Sequence, residues 1–318
     1  MFDPRRVTFK QLRALAAVAN RGSVSQAAED LNVTPPAVSL QLRELERNAG
    51  APLFERRPEG MKPTQAAREL LVVHRRTEAA LSAAGEALSA LSGVEIGKIS
   101  VGVISTAKYF APRALAAFIK LHPKVEVRLN VANRADTIAA IDDFSLDFAL
   151  MGRPPEGDHF EYVTIGDHPH IMIAPPDHPF VQRKRITLAD LADETFLLRE
   201  EGSGTRSMLE ELFAENRIIH RAGMEIGSNE TIKQAVMAGI GVALISAHTV
   251  SAEIADGRLA RLRVSRTPVM RKWLVVKRTE RRLSPAGHAL WDFLASEGAR
   301  YLPAPENEKT SVHGKEGR

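Results

Sequence analysis

The chain has 318 residues, 44% hydrophobic and 26% charged, a length for about two folding units and the balance of an ordinary globular protein, which excludes a disordered or collagen-like chain. No uncharged apolar run reaches the roughly 18 residues that cross a bilayer, and the opening MFDPRRVTFKQLRALAAVANRGS lacks the apolar core of a signal peptide. Cysteine is absent, which excludes disulfides, thiolate-held zinc, iron–sulfur clusters and thiol nucleophiles; a cytoplasmic protein is expected. Net charge is +4, unevenly placed: residues 1–63 hold ten Lys/Arg against seven Asp/Glu, residues 64–92 are neutral, and the rest carries thirty against twenty-nine. A small basic domain on a near-neutral body suggests a polyanion reader joined to something else.

Residues 1–63 read as three short helices and a turn-rich excursion. The first runs from Thr8 to about Asn20, with Leu12, Leu15 and Val18 on its inner side. Ser23 is a good N-cap for the second, over Val24–Leu31, with Gln26 at the reciprocal capping position. Asn32–Val33 is a tight turn, and Thr34 caps the third helix, whose first turn holds Pro35 and Pro36. Val38, Leu42 and Leu45 form its inner stripe, and Gly50 stops it. Ala51–Pro63, with four prolines or glycines, reads as a two-stranded wing.

From Thr64 to Leu91 there is no proline and one glycine, so a long helix is predicted. Leu70, His74, Thr77, Leu81, Ala84, Leu88 and Leu91 alternate in steps of 4 and 3. A helix packed on its own domain needs only an apolar stripe. A regular seam over three heptads favours pairing with a second copy, His74 and Thr77 fixing register.

Ser92–Gly93 breaks that helix, and a different pattern follows. Strands at Lys98–Ile104, Val125–Val131 and Asp147–Met151 alternate with helices at Phe110–Leu121 and Ala135–Asp142, which implies a parallel sheet. A second set has strands at His170–Ala174, Thr195–Leu198, Gly223–Ile226 and Gly241–Ile245, and helices at Thr205–Asn216 and Glu230–Ala238. Arg271–Lys277 is a further strand and Ser284–Arg300 a closing helix; the tail 303–318 has no apolar period and reads as disordered.

Two helices, a short turn, a third helix and a wing make a winged helix-turn-helix. The third helix docks by one face and offers its N-terminal end and opposite face to the major groove. The exposed set is Thr34, Pro35, Pro36, Ser39, Leu40 and Arg43, with Ser23 at the start of the second helix; Arg47 lies further along, paired with phosphate or with Glu44 or Glu46. Arg56 and Arg57 in the wing suit a minor groove.

The stretch from FKQLRALAAVANRGSVSQAAEDLNVTPPAVSLQLRELERNAGAPLFERRPEGMKPTQAA, with EEGSGTRSMLEELF at 200–213 and AGIGVALIS at 238–246, resembles the LysR-type transcriptional regulators. Many members carry Gln and Arg where this chain has Pro35 and Leu40, so its preferred DNA sequence is expected to differ from theirs. Within the family, STAKYFAPRALAAF (105–118) and ALMGRPPE (149–156) resemble the regulators of Calvin-cycle operons. The resemblance implies an α plus α/β architecture: a DNA-binding domain at 1–63, a linker and dimerisation helix at 64–92, and an effector domain at 93–302. That domain would have two lobes like a periplasmic binding protein, lobe I near 93–166 and 267–302, lobe II near 167–266. Partners implied are duplex DNA with paired half-sites, a second copy of the chain with a tetramer beyond, and a small metabolite. No membrane partner and no cofactor is expected.

Open parallel sheets bind ligands beyond the carboxyl ends of their strands. Those ends bring Ser105, Thr106, Lys108, Arg134 and Arg153 from one lobe toward Ser203, Thr205 and Arg206 from the other. Hydroxyls at helix starts beside arginines suit an anion such as a phosphorylated sugar, organic acid or nucleotide. No catalytic residue is expected: GSGT at 202–205 is no phosphate-binding P-loop and no G-x-S-x-G elbow occurs. Asp167, His168, His170, Asp177 and His178 cluster in IGDHPHIMIAPPDHPF, but the prolines favour a structured loop over a metal site. A solute-binding protein would fit the last two-thirds of the chain but predicts a signal peptide and no basic helical module.

Overall fold

The computed structural model describes residues 2–91, 97–219 and 221–303. The chain divides into two compact units, Met1–Gly85 and Glu86–Arg318. Among the described residues no helix is long and apolar enough to cross a membrane. The tail from residue 304 and the predicted helix break at Ser92–Gly93 lie outside the described residues.

In the first unit, α1 (Phe9–Arg21) starts in a capping box, where Thr8 and Gln11 satisfy each other's backbone N–H groups, and ends at Gly22 in the left-handed conformation. Helix α2 (Val24–Asp30) is capped by Ser23, whose hydroxyl accepts from Gln26 N at 3.5 Å. The turn that follows passes through Asn32 at φ 53°, a conformation asparagine tolerates. Helix α3 (Pro35–Ala49) ends at Gly50, also left-handed, and buries Val38, Leu42 and Leu45. These join Leu12, Leu15, Val18 and Ala27 in one core.

Strands β1 (Phe54–Arg57) and β2 (Gly60–Pro63) form the antiparallel wing. Its tip folds back onto the end of α1: Met61 N–H donates to Gly22 O at 2.8 Å. A Cβ on Gly60, at φ 123°, would stand 2.8 Å from that same carbonyl, so the close approach requires glycine there.

The long helix α4 (Gln65–Leu91) is present, but the predicted seam needs correcting at its N-terminal end. Leu70 and His74 are buried within the first unit's own core, and Phe9 packs 5.7 Å from the His74 ring. An amphipathic stripe satisfies its own domain and a partner helix with the same spacing. Leu81, Ala84 and Leu88 are exposed, whereas the Leu91 side chain lies outside the described residues.

In the second unit, β3 (Gly97–Ile104) pairs in parallel with β4 (Val125–Ala132) and β5 (Phe148–Met151). Helices α5 (Ala111–Leu121) and α6 (Arg134–Asp142) connect them. The next strand, β6 (Phe160–Ala174), is far longer than the predicted His170–Ala174. Of the stretch expected to be a structured loop, the part with Asp167, His168 and His170 belongs to this strand, whereas Asp177 and His178 lie beyond its end, outside any strand. Pro169 is compatible because β6 is paired there with β11 on one side only, β9 joining the other side at His170.

Strand β7 (Thr195–Arg199) and helix α7 (Gly204–Glu215) lead to β8 (Arg221–Ile226), parallel to β7. Helix α8 (Asn229–Met237) and β9 (Ala243–Ser246) follow, then α9 (Ala247–Ala255), which sequence reasoning did not place, and the short β10 (Ala260–Arg261). Strand β11 (Val269–Arg278) runs antiparallel to β6 along its length, and α10 (Pro285–Glu297) closes the unit, capped by Ser284. The main sheet has the order β10-β6-β11-β5-β3-β4, with β9 also on β6.

Thus β6 and β11 are shared between two α/β halves. One half packs Phe110, Phe118, Phe148, Trp273 and Trp291 between its sheet and α5 and α10. The other packs Phe196, Leu209, Phe213 and Leu244 on one side and Ile171, Ile232, Val236 and Ile245 on the other.

Candidate functional site

Helix α3 offers its outer face to solvent because its inner stripe is used by the core. Thr34, Pro35, Pro36, Leu40 and Arg43 are exposed, and Ser39 is half-buried. Thr34 stands at the cap position but its hydroxyl makes no capping bond; Pro36 at the second helical position has no N–H to offer it. The carboxylates expected to hold Arg47 are engaged elsewhere: Glu46 accepts from Leu53 N at 2.8 Å and Glu44 from the Gln11 amide at 3.3 Å. Among the described residues Arg43, Arg47 and Arg56 have no ion pair, whereas Arg57 pairs with Glu55 at 2.8 Å. An exposed helix start with free guanidinium groups on helix and wing can neutralise phosphates and reach base edges.

A second site lies in the second unit, between its two halves. It is a cleft of about 470 Å³ beyond the C-terminal ends of β3, β5 and β7, within the size range of small-molecule sites. Arg199, at the end of β7, is 3% exposed. It donates to both oxygens of Glu200 at 2.7 and 2.8 Å, to Asn229 Oδ1 at 2.6 Å, and across the cleft to Ser105 Oγ at 3.1 Å. The neighbouring Thr106 is buried and its hydroxyl has no hydrogen-bond partner. A buried, unpaired hydroxyl costs about 1–3 kcal/mol unless a ligand or water meets it.

Two helix N-termini meet at the same cleft, those of α6 and α7. Ala135 N–H in α6 donates to Gly202 O, at φ 80° before α7, at 3.2 Å. Arg134 runs over Gly204, where a Cβ would stand 3.1 Å from the Arg134 Cδ. Its guanidinium donates to Pro154 O at 2.8 Å and has no carboxylate within ion-pair distance among the described residues. Burial, with Arg153 close by, pulls its pKa below the ordinary arginine value; it remains a cation at neutral pH.

His168 and His170 also line the cleft, with Trp273 and His248 packed behind them. His168 stacks on Trp273 with ring centroids 3.7 Å apart, and Trp273 donates to His248 Nδ1 at 3.0 Å. Burial pushes the His170 pKa down to about 3 and that of His248 to about 4, and places His168 well below its usual range. All three are neutral near pH 7 and leave the positive charge of the cleft to its arginines.

Residues 9–68 match the family described as bacterial regulatory helix-turn-helix protein, lysR family, and residues 92–299 match the LysR substrate binding domain. The chain belongs to the LysR family. This LysR-type regulator is 53% identical to the HTH-type transcriptional regulator CbbR of Xanthobacter flavus, over 93% of this chain and 90% of that one. It is 42% identical to the RuBisCO operon transcriptional regulator of Allochromatium vinosum, over 92% and 97%. Its second unit resembles the solved CcmR regulatory domain of Synechocystis PCC6803 in complex with 2-PG, with 36% identity and a TM-score of 0.62 over 65% of this chain and all of that one.

Of the effector residues expected from the regulator's sequence, Ser105, Thr106, Arg134, Arg153, Ser203 and Thr205 line the cleft. Lys108 and Arg206 do not. Lys108 lies 5.3 Å from the Tyr109 ring, and Arg206 is held by Glu210 at 2.9 Å and Glu225 at 2.5 Å. Helical phase explains the second error. Ser203, Gly204, Ser207, Met208 and Glu211 share one face of α7, and Arg206 and Glu210 share another. The sequence places Arg199 at a strand end facing the ligand site without marking it as an effector residue; it gives no sign of Arg271 or Glu211 as lining residues, and it shows His168 and His170 only as a decoy for metal. A strand TFLLR that is buried up to a terminal arginine is a usable signal for Arg199.

Proposed function

We propose that this protein is a cytoplasmic regulator of carbon-fixation genes, among them a RuBisCO operon, and that it acts by binding and not by catalysis. Helix α3 enters the major groove with Thr34, Pro35, Pro36, Ser39, Leu40 and Arg43, and Ser23 supports the same face. Arg56 and Arg57 carry the wing to the adjacent groove. Two copies pair through the exposed part of α4, at Leu81, Ala84 and Leu88, and so present two recognition helices to paired half-sites; a tetramer is a pair of such dimers.

The cleft takes a small anionic metabolite carrying phosphate or carboxylate groups. The observation that carries this reading is Arg134, a half-buried cation without an ion pair among the described residues, placed between the N-termini of α6 and α7. Each terminus carries a partial positive charge; at α7 the cap residue Ser203 makes no side-chain bond, which leaves N–H groups of its first turn for a ligand, whereas at α6 Ala135 and Asp136 already donate to Gly202 O and Asn133 Oδ1. 2-PG, the ligand in the Synechocystis domain, is therefore the first compound to test. A ligand that favours one lobe arrangement shifts DNA binding by its differential affinity, typically about 1–3 kcal/mol.

Titration of the full chain into labelled DNA from upstream of the RuBisCO operon, with random duplex as competitor, tests the first half. Specific binding at least about a thousandfold tighter than non-specific is expected. Equal affinity for both duplexes would overturn it. Thermal melting with 2-PG, sugar phosphates and nucleotides tests the second, and a melting temperature unmoved by every one of them would overturn it.

A further inference from the structure

The cleft is lined by carboxylates where an anion site has least use for them; Glu156 accepts from Arg153 Nη2 at 3.3 Å, and Glu211 alone of them bridges two arginines among the described residues. Glu211, on α7, accepts from Arg153 Nη1 at 3.1 Å and from Arg271 Nη2 at 3.2 Å. Arg153 follows β5, in the half that holds Thr106, and Arg271 lies on the shared strand β11. The tie is solvated: the side chains of Arg153, Glu211 and Arg271 are 42%, 45% and 32% exposed. Solvated pairs of this kind are worth about 0–1 kcal/mol each, so an incoming anion can exchange with the carboxylate. By contrast, Arg199 is 3% exposed and held by Glu200, Asn229 and Ser105, and does not exchange cheaply.

From this geometry we infer that Glu211 is an internal competitor for the effector: its carboxylate occupies the guanidinium faces of Arg153 and Arg271 that an anionic effector takes. The inference rests on the effector reading of the cleft given above. Arg134, with no ion pair to give up, meets the anion first. A second anionic group on the same molecule then displaces Glu211 from one or both arginines. The exchange matters for regulation because Glu211 ties α7 to the loop after β5. Its release replaces a direct tie between the two halves with one that runs through the ligand. The carboxylate thereby sets the affinity threshold of the sensor, and molecules with a single anionic group are selected against.

The test compares full-length wild type, Glu211→Gln and Glu210→Gln for binding of 2-PG and of inorganic phosphate by calorimetry. Glu210→Gln changes net charge equally, but its partner Arg206 lies outside the cleft. Glu211→Gln is expected to bind 2-PG roughly three- to tenfold tighter than wild type, with a smaller gain for inorganic phosphate. Glu210→Gln is expected to match wild type. Unliganded melting temperatures should agree among the three, which shows that the gain is not a folding effect. If wild type binds 2-PG and Glu211→Gln binds it equally or more weakly, the competitor role is wrong while the effector site stands. If none of the three binds either probe, the effector reading fails and this inference with it.

Discussion

In the first unit Arg43, Arg47 and Arg56 face solvent without an ion pair among the described residues, whereas in the cleft Arg153, Arg199 and Arg271 each hold a carboxylate. The difference follows from where each set finds its counter-charge. A solvated arginine on α3 or the wing loses little by waiting for a phosphate, because water and salt screen it. An arginine as deeply buried as Arg199 cannot be left desolvated and alone, so the chain supplies Glu200; the partly solvated Arg153 and Arg271 share Glu211, and Arg134 holds no carboxylate among the described residues. Substitutions on the DNA face should therefore cost affinity with little loss of stability, and loss of the buried cleft cation Arg199 should cost stability.

The largest effect is expected for Arg199→Ala. Removing a cation that is 3% exposed strands Glu200, Asn229 and Ser105, at a cost of about 3–5 kcal/mol. Urea unfolding followed by tryptophan fluorescence reads the second unit alone, because both tryptophans, Trp273 and Trp291, lie in it. A variant as stable as wild type would break the contrast at its strongest point.

Acid comes next. Below the unfolded value of 6.5, unfolded chains bind protons at His170 and His248 that the folded chain refuses until about pH 3 and 4. Stability of the second unit should therefore fall as pH drops below 6.5, by up to ~1.4 kcal/mol per pH unit for each such histidine. The same urea experiment at pH 7, 6 and 5 checks this; a flat profile would mean that these rings are not held neutral.

Arg43→Ala should cost about 1–3 kcal/mol of DNA affinity in a gel shift while leaving the melting temperature within error of wild type. Arg21→Ala is the sharpening control. Its guanidinium is held by Asp30 at 2.7 Å, so DNA affinity should change less. The smallest stability effect is expected for Thr106→Val, which removes a buried hydroxyl without a partner. Stability should hold or rise slightly while 2-PG binding weakens about tenfold, as read by calorimetry; unchanged binding would take Thr106 out of the site.

The same contrast explains how much the sequence discloses. The DNA-reading unit is legible because its signals are local. Thr8 and Ser23 cap the helices they precede, Gly22 and Gly50 end helices, and Val38, Leu42 and Leu45 mark the inner face of α3. The cleft is legible where it follows the ends of parallel strands, at Ser105, Thr106, Arg134 and Arg153. It is illegible where it depends on β6 pairing with β11, which brings His168 opposite Arg271 across a hundred residues of chain. Nothing near either residue announces that pairing. Lys108 and Arg206 carry the right charge in the right segment, yet face elsewhere, because one step along a helix turns a side chain by about 100°. The heptad at Leu70 and His74 misleads for another reason: the helix's own domain uses the period that a partner would use.

The central claim is that the cleft senses an anion and the recognition helices report it. Footprinting of wild type on its operon DNA, with and without saturating 2-PG, tests this most directly, with Thr106→Val beside it. The protected length or the DNA bend should change with 2-PG in wild type, and in the variant should need about tenfold more 2-PG to change. A footprint that ignores 2-PG in wild type, while calorimetry shows the cleft filled, would contradict the coupling.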